Sequence, residues 1–147
     1  MRIRLIWVGR TKEPWAREAI EKYSRLIRPY AQLEVVEIKE QKGGPAERDR
    51  LVESEGRRIL EKASDYVLLD ELGKAPGSVD FSGMLRDRAR TEFVIGGPWG
   101  VSDEIRARAD GILSLSNMTL THDLARVVLM EQIYRGFTII TGKGYHH

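Results

Sequence analysis

The stretch LSLSNMTLTHDLARVVLMEQIYRGF, residues 113–137, decides the fold. It begins inside GILSLS (111–116), where apolar and polar residues alternate as in a strand. It then passes through small hydroxyl and amide side chains and continues as an apolar helix. Such side chains cap helix starts, but capping accounts for only one or two of them, Thr121 or Asn117 first. It does not explain Ser116, Asn117, Thr119, Thr121 and His122 within one short segment. The other reading is a pocket wall, in which Leu115, Met118 and Leu120 supply an apolar ring around polar groups.

Upstream, strand-like and helix-like segments alternate. RIRLIWVG (2–9) reads as a strand with Arg2 and Arg4 on one face and Ile3 and Leu5 on the other. Residues 13–27 space Trp15, Ala19, Tyr23 and Ile27 at helical intervals. LEVVEI (33–38) is a second strand, and a Gly-Pro loop leads into a polar helix over about 46–63 with one narrow apolar stripe. YVLLD (66–70) and EFVI (92–95) read as buried strands, with a helix near 80–90 between them. Ser102 caps a short helix, DEIRARA. Strands separated by helices predict one α/β domain with a parallel sheet covered on both faces. Ligands of such sheets sit beyond the carboxyl ends of the strands. Residues 69–77, 96–102 and 116–122 leave those ends and should converge on one rim.

The totals narrow the function. The chain has 147 residues, no cysteine and no apolar run long enough to span a membrane. Thiolate metal sites, Cys nucleophiles and disulfides are thereby excluded, and no signal peptide is evident, so a cytoplasmic protein is expected. The 24 basic residues, mostly arginine, nearly balance 22 acids. The arginine bias suits phosphate recognition but also a GC-rich genome or a heat-stable surface. IGGPWG (95–100) lets a backbone turn sharply and a ligand approach closely, or simply makes a tight turn. Its spacing matches neither a dinucleotide fingerprint nor a P-loop. Three histidines without cysteine make no zinc set, and no metal is expected. Glu131 and Arg135 read as a helix ion pair. The stripe Leu124, Val127, Val128, Ile133 and Phe137 is core or subunit interface. TGKGYHH could also be a phosphate-binding tail.

FVIGGPWG, LSLSNMTLTHDLARVVLMEQIYRGF, the closing YHH and VGRTKEPWAREAIEKYSRLI (8–27) together resemble the ribosomal RNA large subunit methyltransferase H family, of the SPOUT class. The likeness runs essentially end to end. It implies an α/β knot: a single domain over 1–147, with a C-terminal trefoil knot and the cofactor site in about 66–147. It implies an enzyme that transfers methyl from S-adenosyl-L-methionine to N3 of a pseudouridine in helix 69 of 23S rRNA, on assembled ribosomes. It further implies a homodimer, and cofactor contacts at Leu69, Gly96, Leu115, Ser116, Asn117, Met118, Thr119 and Leu120. Tyr145 and His146 are the candidates near the target base, Arg135 would position substrate or support the imide anion, and His122 ranks behind them. The alternatives are a SPOUT-like tRNA methyltransferase and a non-catalytic ribosome-associated RNA-binding module.

Two positions depart from the family's pattern. His147 stands where Lys or Arg is more usual, and Gly136 where Ala is common, which should loosen the last helix. Because net charge is only +2, RNA binding would need a local basic face, drawn from Arg2, Arg4, Arg10, Lys12 and Lys143.

Overall fold

The computed structural model describes all residues, 1–147. Its elements, in chain order, are β1 (Arg2–Val8), α1 (Pro14–Ile27), β2 (Gln32–Ile38), α2 (Arg48–Lys62, after a 3-10 turn at Pro45–Glu47), β3 (Tyr66–Lys74), α3 (Ser78–Gly83), β4 (Arg90–Ile95), α4 (Asp103–Arg108), β5 (Gly111–Leu113) and α5 (His122–Ile140). The five strands form one sheet in the order β2-β1-β4-β3-β5, and every pairing is parallel. The α/β expectation therefore holds.

Alternation along β1 sorts the core into two layers. Ile3, Leu5 and Trp7 join Ile27 of α1, Phe81 of α3 and Leu129, Ile133 and Phe137 of α5. Ile6 and Val8 face the other way, against Ile59 of α2 and Ile105 of α4. Arg4 projects to the second face at the strand's amino end. There it pairs with Glu34 at 2.9 Å and with the buried Glu92 at 3.0 Å.

Several boundaries differ from the expectation. The helix near 80–90 is shorter and earlier, because the chain turns after α3 and Asp87 takes a left-handed φ of 57°. Its residues then enter β4 at Arg90. The alternation of GILSLS suggested a strand to Ser116, but β5 ends at Leu113. At that point the Ser114 hydroxyl turns inward to donate to the Ser116 carbonyl at 2.6 Å. Conversely, β3 runs on to Lys74, pairing with Leu113 from both Leu69 and Lys74 around an irregularity. Ile27 is buried as its spacing predicts, but Trp15, placed on the same stripe of α1, is 48% exposed, and Ala16 is buried in its stead. Gly136 faces α3, where a Cβ would stand 2.8 Å from Leu85 Cδ1. Its role here is close helix packing, a property that helix propensity does not register.

The apolar stripe of α2 carries a carboxyl group. Leu51, Glu55 and Ile59 are buried in succession on one face, and Glu55 Oε1 has no hydrogen-bond partner. Burial pushes the Glu55 pKa up, opposed by the Gln41 amide. The folded state therefore holds the proton more tightly than the unfolded chain. The stability linked to that proton is present at low pH and is lost as pH rises through the folded-state value. Glu55→Gln should accordingly raise Tm at neutral pH and give no gain at pH 4. Thermal melts across that range check the prediction, and a pH-independent difference would contradict it.

Candidate functional site

The carboxyl ends of β3, β4 and β5 enclose a cavity of about 290 Å³. Its walls come from the three segments expected to converge: Leu69–Glu71, Ile95–Val101 without Trp99, and Ser114–Leu120 without Asn117, closed by His122 and Ala125. Of the eight residues expected around a cofactor, Leu69, Gly96, Leu115, Ser116, Met118, Thr119 and Leu120 line it. Asn117 is exposed and lies off the wall.

Local chemistry explains the shape. Gly96 is required, since a Cβ there would lie 2.4 Å from Val101 Cγ1. Gly100 takes a φ of 87°, which folds the loop back so that its N–H donates to the Gly97 carbonyl at 3.1 Å. Residues 114–121 form neither helix nor strand. Side chains hold them instead: Ser116 Oγ accepts from the Met118 N–H at 2.9 Å, and the Thr119 hydroxyl donates to Glu71 at 2.6 Å. Thr121 caps α5, its hydroxyl accepting from the Leu124 N–H at 3.2 Å. Asp70, on the rim, is fixed by Arg106 at 2.7 Å. Composition and motif reading missed Asp70, Glu71 and Val101, which carry no motif of their own.

The three tail candidates meet elsewhere, around Glu131. Arg135 donates to Glu131 at 2.6 Å through Nη2, and its Nη1 lies 3.1 Å from His146 Nδ1. A guanidinium can only donate, so Nδ1 accepts and the ring proton belongs on Nε2. The Tyr145 hydroxyl donates to Glu131 at 3.1 Å, and the Arg135 guanidinium lies 4.7 Å from the Tyr145 ring centre. Burial and the Glu131 carboxylate push Tyr145 up to about 12, so it keeps its proton at neutral pH. The hydrogen bond that Arg135 donates to Glu131 raises the arginine above its ordinary range.

This cluster and the cavity are separate within one chain. His122 lines the cavity and Arg135 lies thirteen residues further along α5, roughly 20 Å at the rise of an α-helix. The expected single basic face also divides. Arg2 and Arg4 sit at the amino ends of the strands, with Arg4 spent on Glu34 and Glu92, whereas Arg10 and Lys12 follow the carboxyl end of β1. Lys143 lies 5.0 Å from the Tyr30 ring centre. No group of three or more His, Asp or Glu side chains is placed to hold a metal, and no helix is long and apolar enough to cross a membrane.

Comparison with known proteins agrees with this geometry. A family model described as "Predicted SPOUT methyltransferase" matches residues 1–146. Among solved structures, a methylase family protein from Haemophilus influenzae superimposes with a TM-score of 0.58 at 10% identity, covering 99% of this chain and 70% of that one. These findings set the class, a SPOUT-type methyltransferase fold. "Ribosomal RNA large subunit methyltransferase H" of Geobacter sp. (strain M21) is 47% identical, covering 100% of this chain and 99% of its own. The protein of that name from Thermodesulfovibrio yellowstonii is 38% identical, covering 99% of both. The chain belongs to the ribosomal RNA large subunit methyltransferase H family.

Proposed function

We propose that the chain methylates N3 of a pseudouridine in helix 69 of 23S rRNA, on assembled ribosomes, as a cytoplasmic homodimer using S-adenosyl-L-methionine. The observation that carries the reading is the convergence of Leu69, Gly96, Leu115, Ser116, Met118, Thr119 and Leu120 on one cavity at the strand ends. The cavity suits the donor chemically. Leu69, Leu115 and Leu120 offer apolar contact, the irregular 114–121 backbone offers polar edges, and Asp70 and Glu71 complement a cation. The bound donor would supply an electrophilic methyl on a positively charged sulfur.

The protein's work is then positioning. The cavity walls hold the donor, and the attacking nitrogen must lie in line with the carbon–sulfur bond, with water excluded. The imide N–H gives its proton to bulk solvent before the base is seated, and the nitrogen–carbon bond then forms as the carbon–sulfur bond breaks, which would leave a neutral thioether. Arg135 is a fixed cation suited to stabilise the imide negative charge; beside it the Tyr145 hydroxyl is turned to Glu131, and the His146 Nε2–H is left to donate. The separation along α5 favours a dimer, in which one copy's tail cluster serves the other's cavity. Leu72 (82% exposed), Met118 (78%) and Leu124 (37%) are apolar side chains that such a partner would cover. The knotted path over about 66–147 belongs to the same reading. It is supported by the match of the SPOUT methyltransferase family model over residues 1–146.

The test is mass spectrometry of 23S rRNA from a deletion strain, with and without this chain restored. Loss and recovery of one methyl on the helix 69 pseudouridine is expected. An unchanged nucleoside would overturn the substrate, and calorimetry showing no donor binding would reduce the chain to an RNA-binding module.

A further inference from the structure

A second cavity, of about 470 Å³, opens beside the first. It lies between the loop after β1 and the start of α5, and it shares Pro98 and His122 with the donor cavity. Its size falls within the roughly 300–1,000 Å³ of small-ligand sites.

The loop from Gly9 to Glu13 belongs to no helix or strand, yet three side chains fix its backbone. Asp123 Oδ2 accepts from the Lys12 and Glu13 amides at 3.0 and 2.7 Å. Arg17 Nη1 donates to the carbonyls of Thr11 and Lys12 at 3.0 and 2.8 Å. From beneath, the buried Arg126 donates to the Val8 carbonyl at 2.8 Å and to the Thr11 hydroxyl at 3.0 Å. Gly9, at a φ of 87°, makes the turn into the loop. Such bracing presents whatever the loop carries in a fixed place, which reduces the entropy lost on binding.

The loop carries Arg10 and Lys12, both exposed, and neither side chain has an ion-pair or hydrogen-bond partner. Trp15 stands on the same cavity, 48% exposed. The lining contains three bases, Arg10, Lys12 and Arg126, and three acids, Glu13, Glu40 and Asp123. They cancel in number but not in place. Asp123 and Arg126 are buried and committed to the loop, and Glu40 packs against Gly9. Arg10 and Lys12 are left facing solvent against Glu13. A multiply charged anion would meet too little positive charge here. A singly charged phosphodiester with a flat base fits: the cations take the phosphate and the indole takes the base face.

We infer that this second cavity is an RNA subsite for one unpaired nucleotide beside the methylation target, with its base on Trp15 and its phosphate at Arg10 and Lys12. The inference rests on the RNA methyltransferase reading above. Its shared wall with the donor cavity would place the neighbouring nucleotide within reach of the methyl group, so the subsite sets register as well as affinity.

The test is binding of purified variants to ribosomes from the deletion strain, followed by co-sedimentation, with methyl-transfer kinetics alongside. Trp15→Ala should weaken ribosome binding and raise KM about tenfold, leaving donor affinity by calorimetry unchanged. Trp15→Phe, which keeps a stacking face, should recover most of the loss. Arg10→Ala with Lys12→Ala should flatten the salt dependence of binding, which loss of fold would not mimic. Ribosome binding by Trp15→Ala equal to wild type, or an unchanged salt slope in the double variant, overturns the subsite. A wild-type chain that binds ribosomes but transfers no methyl overturns the preceding reading instead, and the Trp15 comparison still decides the subsite.

Discussion

Arg135→Ala should lower the single-turnover rate of methyl transfer on ribosomes by a factor of about 100 to 1,000 and leave donor affinity unchanged. The size follows from the number of roles the guanidinium combines. It is the one cation in its cluster, held by Glu131 at 2.6 Å, and it touches both His146 at 3.1 Å and the Tyr145 ring at 4.7 Å. Removing it withdraws positive charge from the imide anion and frees both tail residues at once. It also leaves Glu131, with only 18% of its side chain exposed, short of its counter-ion. Arg135→Lys keeps the charge but loses the planar fork, so it should recover only part of the rate. Because Arg135 is assigned to the target base and lines no part of the cavity, calorimetry with S-adenosyl-L-methionine should not distinguish the variants. A wild-type rate for Arg135→Ala would remove the cluster from catalysis.

Gly73→Ala should destabilise the fold by about 3 kcal/mol, lowering Tm by about 10 °C. The added Cβ would lie 2.6 Å from the Ile112 carbonyl carbon and oxygen and 2.8 Å from the Leu113 nitrogen. These are backbone atoms, so no rotamer change relieves the clash, and β3 and β5 must move apart. Gly44→Ala is the matched control, since a Cβ there meets nothing within 4 Å. Calorimetric melts of the two variants check the prediction. Equal midpoints would show that the close approach of β3 and β5 tolerates a side chain.

Much of the cavity at the strand ends was legible because strand ends and turn chemistry are local signals. IGGPWG and the polar run after GILSLS marked two of its walls, and YVLLD marked the third. Asn117 belongs to the same segment, but it is exposed and does not line the cavity. Trp15 was misplaced by periodicity, since helical spacing does not say how far an apolar stripe extends around α1. Glu55 gave a readable sign, because it sits at i+4 from Leu51 and i−4 from Ile59 on a buried stripe.

By itself the sequence determined the order of strands and helices, the parallel α/β class and the segments that meet at the strand ends. Hydrophobic period and capping act within a few residues, so they can be read without coordinates. Only the tertiary structure decided where β3 and β5 end, because pairing partners and not propensity set those limits. It alone brought Tyr145 and His146 onto the Glu131–Arg135 pair that i,i+4 spacing had marked, roughly 20 Å along α5 from the cavity of the same chain. It alone decided that Asp123, Arg17 and Arg126 brace one loop beside that cavity. The Asp123 and Arg126 contacts join residues more than a hundred positions apart, so they depend on how α5 packs on the sheet, and no local pattern along the chain records that.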